Sequence, residues 1–255
     1  MSRKLSQRGY FHPGLSLTLI LLTLLSVEAV AEVAADGRLA YDDESPPWLR
    51  AVGVLTVPAV KYQEGRARNL REDCSATLVA GRRGQPADII VTAWHCLEFY
   101  RDLSKPITFT LGNTLQGGIS HRARRLADGG GISADWAILR LQRAIPADSV
   151  SAMQVHPGAA DPRRAITAAG YSRDRDRQPQ DRQLTYDPTC RILQREGLLV
   201  QSDCAAHKGA SGGAVVQIST EGVAQLSGVI SQGDGEAVLL YVPVDEFRQV
   251  LARYL

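Results

Sequence analysis

Gly209-Ala210-Ser211-Gly212-Gly213 sets one serine among four small residues, with glycine on both sides of it. Glycine adopts backbone conformations closed to other residues, so such a segment can turn tightly and bring main-chain N–H groups against a reacting carbonyl. As a G-x-S-x-G elbow on a parallel α/β sheet, the motif would need its histidine after the serine. The five histidines are His12, His95, His121, His156 and His207, and none follows Ser211. A serine nucleophile needs a base to take its proton. That base must therefore come from upstream, in a fold that brings an early histidine back to Ser211.

Outward from this segment the chain reads as all-β. Short runs rich in branched and apolar residues recur between turn residues: AVGVLTV (51–57), SATLVA (75–80), DIIVTA (88–93), ITFTLG (107–112), WAILRL (136–141), RAITAAG (164–170), GAVVQI (213–218), QLSGVIS (225–231) and AVLLYV (237–242). Many short strands at close spacing predict antiparallel barrels or a sandwich rather than β-α-β units. Only the C-terminus has a helical period, with Val244, Phe247, Val250, Leu251 and Tyr254 on one face. AIPADSVSA (144–152) reads as a linker between halves of similar size. SRDRDRQPQDRQ (172–183) and HRARR (121–125) read as solvated, mixed or basic loops.

Both ends of the charge arithmetic matter. The 255 residues carry 29 Lys+Arg against 27 Asp+Glu. Arg3, Lys4 and Arg8 precede the apolar run from Leu15 to Val27 and Ala29-Val30-Ala31, the order of a secretory signal peptide with cleavage expected after Ala31. The run is too short for the ~20 residues of a spanning helix, so no stable membrane anchor is expected. Without residues 1–31 the chain is neutral, with 26 charges of each sign. That gives no basic face for nucleic acid. Residues 32–47 read as a mobile acidic leader or pro-segment.

Export places Cys74, Cys96, Cys190 and Cys204 where disulfides form. Three pairings are open, and pairing neighbours in sequence closes short loops worth on the order of 3 kcal/mol each. The spacings of 22, 94 and 14 lack the close ligand pairs of a zinc site, and neither a metal nor a cofactor is expected.

His95 ends a buried-looking strand in Val91-Thr92-Ala93-Trp94-His95-Cys96 and is the best upstream base. Asp135, immediately ahead of WAILRL, can orient an imidazole and stabilise its charged form. Taken singly, His95 reads first as a core-edge histidine and Asp135 as a turn residue. The fixed order His, Asp, Ser carries more. With Cys74-Ser75-Ala76-Thr77-Leu78-Val79, Thr92-Ala93-Trp94-His95-Cys96, Asp135-Trp136-Ala137-Ile138-Leu139 and Gly209-Ala210-Ser211-Gly212-Gly213, the sequence resembles the chymotrypsin/trypsin-like serine peptidases over about residues 48–255.

The resemblance implies two antiparallel six-stranded β-barrels, 48–145 and 146–255, the second closed by the C-terminal helix. It implies Ser211 as nucleophile, His95 as general base and then acid, Asp135 as its orienting partner, and the N–H groups of Gly209 and Ser211 as the oxyanion hole. Cys74 and Cys96 match the family's histidine-loop disulfide, whereas Cys190 and Cys204 fit less well, so their loop is expected to be remodelled. Ala210 departs from the acid that digestive members carry before the nucleophile, so activation through that ion pair is unavailable to this chain. The specificity position counts to Ala205, which argues against cleavage after Arg or Lys. Asp203 or Lys208 could still reach the pocket, and Ser231-Gln232-Gly233 resembles the strand that pairs with substrate backbone.

The expected function is that of an exported serine endopeptidase, periplasmic or extracellular, acting as a monomer on protein or peptide substrates. The competing expectation is a catalytically silent member that uses its cleft for binding. Only 44 residues follow Ser211, enough to finish a barrel and helix but not an appended peptide-binding domain.

Overall fold

The computed structural model describes residues 36–112, 118–176, 182–235 and 238–255. The expected signal peptide at 1–31 lies outside the described residues. No described helix is long and apolar enough to cross a membrane.

The first half closes on itself. β2 (Val52–Gln63), β3 (Arg66–Ala80), β4 (Ala87–Thr92), β5 (Ile107–Leu111), β6 (Ile119–Asp128) and β7 (Ala137–Ile145) pair in the ring β2-β5-β6-β7-β4-β3, every pairing antiparallel. Closure leaves no exposed edge along the ring and fills the interior with Leu55, Leu78, Ile90, Ile107, Phe109 and Leu139, all essentially without solvent contact. Gly53 makes room for one of them: a Cβ there would stand 2.6 Å from the Phe109 ring.

β6 corrects one sequence reading. HRARR is part of a central strand of the barrel, not a loop. Alternation explains it, because Ser120, Arg122 and Arg124 are exposed while His121 and Ala123 between them are half-buried.

In the second half, β9 (Ile166–Tyr171), β10 (Leu184–Cys190), β11 (Ile192–Glu196), β12 (Leu199–Ser202), β13 (Ala214–Ile218), β14 (Ala224–Gly233) and β15 (Leu239–Pro243) run in the antiparallel order β11-β12-β15-β14-β13-β9-β10. Their core contains Ile166, Val200, Val215, Ile230 and Tyr241. The Cys190–Cys204 disulfide ties the end of β10 to the segment after β12. β8 (Met153–Val155), which follows the expected linker, pairs in parallel with both β3 and β14 and so stitches the halves together.

Two further segments differ from expectation. Leu39–Ala40 form β1, paired antiparallel with Tyr186 and Thr185 of β10, so the described part of the acidic stretch is docked rather than mobile. Its apolar content is too low to show a period, and backbone pairing with ion pairs holds it instead. Arg173–Arg175 of the Arg/Asp stretch form a 3₁₀ turn whose Asp174 and Arg175, though exposed, are ion-paired with Arg38 and Asp36.

The C-terminal helix α1 spans only Arg248–Leu251 after a 3₁₀ turn at Val244–Glu246. The expected apolar face is nevertheless the buried one: Val244, Phe247 and Leu251 sit in the core, with Val250 and Tyr254 packed against it. Phe247 stacks on Trp136, ring centroids 5.2 Å apart.

Candidate active site

His95 lies in the 3₁₀ turn Trp94–Leu97 directly after β4, in a loop pinned by the Cys74–Cys96 disulfide. Asp135 immediately precedes Trp136 and β7, and its side chain is completely buried. The Trp136–Phe247 stack therefore fixes the strand that presents it. The two residues meet at two points. The His95 main-chain N–H donates to Asp135 Oδ1 at 2.8 Å, and Nδ1–H donates to Oδ2 at 2.7 Å. Ser231, on β14, donates its hydroxyl to the same Oδ2 at 2.5 Å. Buried carboxylates are tolerated when hydrogen bonds satisfy them, and these three do so for Asp135. With Nδ1 protonated, the neutral ring has its basic lone pair on Nε2, directed away from Asp135.

Ser211 sits in the loop between β12 and β13, its backbone anchored to the first barrel. The Ser75 N–H donates to the Ser211 carbonyl at 2.7 Å, and that carbonyl lies 3.9 Å from Cys96 Sγ. The same sulfur is 3.9 Å from His95 Nε2, so the main chain of Ser211 and the imidazole flank one disulfide. Gly212, at φ +81°, is where only glycine fits: a Cβ would fall 2.1 Å from Thr92 Oγ1 and 2.2 Å from the Ser75 carbonyl.

The orientation of two N–H groups follows from the peptide planes. In a trans peptide the C=O and N–H point in opposite directions. The Lys208 carbonyl accepts the Arg173 N–H at 2.9 Å, which turns the Gly209 N–H the other way. The Ala210 carbonyl accepts the Gly213 N–H at 2.8 Å, which does the same for the Ser211 N–H. Neither the Gly209 nor the Ser211 N–H has a main-chain acceptor among the described residues. Between them, the Gly209 carbonyl accepts from Ser75 Oγ at 2.9 Å, and that hydroxyl oxygen in turn accepts the Tyr171 N–H at 2.8 Å.

Of the residues expected to form the pocket, Ala205 is buried and its N–H donates to Asp187 Oδ2 at 2.9 Å. Burial pushes the Asp187 carboxyl above its usual value, only partly offset by that bond. Lys208 is exposed and Ser231 is buried against Asp135. Gly233 approaches Ala206 so closely that a Cβ on it would stand 2.5 Å from the Ala206 carbonyl oxygen. Asp203 is occupied with the Arg191 N–H. Ala210 is buried in the second core and faces Gly170, where an added Cβ would come within 3.0 Å of it. Cys74, His95 and Cys96 cluster at metal-ligand spacing, but the two sulfurs are bonded to each other and offer no thiolate.

Sequence reasoning missed Ser75, the contact of Ser231 with Asp135, and the 171–173 segment. Ser75 is one small residue in an apolar strand, and nothing around it marks a bond across 134 positions.

The disulfide beside the site carries a stability prediction. Replacing both Cys74 and Cys96 by serine is expected to lower stability by about 2–5 kcal/mol, read as a fall in the denaturation midpoint. An unchanged midpoint would show that the brace contributes nothing.

No curated protein matches the chain by sequence. Among solved structures, one described as Glu endopeptidase in complex with MPD superposes with a TM-score of 0.60 at 15% identity, covering 87% of this chain and 98% of that one. At that identity the likeness speaks to the fold, two packed β halves of chymotrypsin type. The profile of the trypsin-like peptidase domain matches residues 74–224, which include His95, Asp135 and Ser211. By this match, the chain belongs to the trypsin-like peptidase family.

Proposed function

We propose that the protein is an exported serine endopeptidase that cleaves peptide bonds through a Ser211–His95–Asp135 triad. The observation that carries the proposal is the buried Asp135 carboxylate, which holds both the backbone and Nδ1 of His95 while Ser231 satisfies it from the other barrel. Asp135 fixes the tautomer in which Nε2 is the base. Ser211 Oγ attacks the substrate carbonyl carbon as its proton passes to His95 Nε2. The carbonyl oxygen, now negative, accepts from the Gly209 and Ser211 N–H groups, each aimed by the carbonyl of its own peptide unit. The amine then leaves with the proton from His95, giving the acyl-enzyme. Water repeats the sequence, loses its proton to His95 and releases Ser211. No metal or cofactor enters this scheme.

A fluorophosphonate probe tests it. The folded chain is expected to be labelled at one site, and Ser211→Ala is expected to abolish labelling. Labelling that survives in the variant, or is absent from the folded native chain, would overturn the assignment.

We place the specificity pocket at Ala205 and Ala206, both buried and uncharged, with Gly233 in near-contact with Ala206. Peptide libraries are therefore expected to be cut after small uncharged residues. Cleavage mainly after Arg or Lys would show that Ala205 is not at the base of the pocket. The acidic preference named for the structural neighbour has no counterpart in these residues beyond exposed Lys208. The disulfides support export, as does the charged-then-apolar order of residues 3–31.

A further inference from the structure

Ala210 leaves open what holds the oxyanion loop in place of an ion pair beside the nucleophile. A charge network on the far side of that loop answers it. Arg38, whose side chain is 2% exposed, reaches Asp174 with both terminal nitrogens, at 3.1 Å to Oδ1 and 2.5 Å to Oδ2. It also binds Asp36, and Arg175 closes a ring of four charges by bonding Asp36 at 2.5 Å. A bidentate guanidinium fixes orientation as well as distance. Hydrogen bonds from Arg38 and Arg175 outweigh burial and hold the Asp36 carboxyl far below its usual value. Burial would raise the Asp174 carboxyl, but Arg38 and the nearby His207 outweigh it and keep it low.

Asp174 belongs to the 3₁₀ turn Arg173–Arg175, so fixing its carboxylate fixes the turn. The N–H of Arg173 in that turn holds the Lys208 carbonyl, and the Arg173 side chain lies against Gly209. Asp174 also stands 3.8 Å from His207 Nε2, so the turn touches the loop on both sides of Lys208, through Asp174 at His207 and through Arg173 at Gly209. β1 pairing and the Tyr41 N–H to Leu184 carbonyl bond fasten the segment that carries Arg38.

We propose that residues 36–41 are a positioning strap for the oxyanion hole: Arg38, through Asp174 and Arg173, sets the Lys208–Gly209 peptide so that the Gly209 N–H faces the substrate. The inference rests on the reading of Gly209 as an oxyanion donor. Arg38 is a positioning residue and touches no reacting atom.

The test uses the full chain after signal removal. Arg38→Met is expected to lower kcat by about 10- to 100-fold, below the ~10² to 10³ for losing a whole oxyanion donor, with KM within about twofold. Asp174→Asn is expected to do the same, and the double variant no worse than either single one. Affinity for a peptide aldehyde, whose adduct needs the oxyanion hole, is expected to fall in parallel with kcat/KM. A purely structural strap would lower the melting temperature and leave these ratios alone.

Wild-type kcat in folded Arg38→Met, or additive effects in the double variant, would overturn the proposal. If Arg38→Met does not fold, Arg38→Lys keeps the charge but loses the fork. It is then expected to show an intermediate loss, and full activity in it overturns the proposal equally. Should the native chain not react with the fluorophosphonate, the triad reading fails separately. Amide exchange over 207–211 still decides the strap, which predicts faster exchange in Arg38→Met and is overturned by none.

Discussion

Ser211→Ala is expected to lower kcat by about 10⁶ while leaving the fold and substrate KM nearly unchanged. The side chain is half-buried, and the contacts that hold its loop are made by main-chain atoms. The Ser75 N–H still finds the carbonyl at 211, the Gly213 N–H still finds Ala210, and Gly212 still fits beneath Thr92. The variant therefore separates chemistry from architecture. Any residual rate reports what binding and the two N–H donors achieve without a nucleophile. A loss of less than about tenfold at unchanged melting temperature would mean that another group attacks the carbonyl.

Asp135→Asn is expected to cost roughly 10⁴ in kcat. Asp135 accepts three donors, from the His95 main chain, the His95 ring and the Ser231 hydroxyl. An amide has only one acceptor oxygen, so its NH₂ must face one of those donors. If it faces the imidazole, the ring turns its protonated nitrogen toward Ser211 and cannot act as base. If it faces the backbone N–H of His95, a buried donor loses its acceptor at a cost of about 1–3 kcal/mol. A tautomer-sensitive measurement, the ¹⁵N shifts of the His95 ring, distinguishes the two. An Asn variant with native turnover would remove Asp135 from the mechanism. Asp135→Ala should be less stable than Asp135→Asn, because it leaves all three donors unmatched inside the protein.

The sequence made the fold legible where burial follows chain direction. Nine apolar runs coincide with strands because a strand buried on one or both faces must be written in branched and apolar residues. β6 escaped because its outward positions are arginines, and β1 because two residues carry no period. The helical face at Val244, Phe247 and Leu251 was legible as the buried one, although only four residues close as α-helix. At the site, His95 and Asp135 came forward by order and local context, and the structure sets them 2.7 Å apart. Ser75, Tyr171 and Arg173 did not come forward. They act through backbone groups or a single hydroxyl, and backbone bonds leave no residue-type signature. Arg38 and Asp174 were hidden differently: one lies in a stretch that reads as a mobile acidic leader and the other in alternating charge that reads as solvated, yet the two meet across 136 positions.

The Cys74–Cys96 bond has a consequence for when such an enzyme could work. Its sulfur touches both the imidazole that takes the proton and the peptide that carries the nucleophile. Position 210, meanwhile, has no acid through which a cleaved N-terminus could switch the site on. For a catalyst built this way, the expected control is the disulfide itself rather than an ion pair to a cleaved N-terminus. Oxidation is then the expected starting signal: in a reducing compartment the histidine loop would lack its tether, and in an oxidising one the covalent event that completes folding would also complete the site.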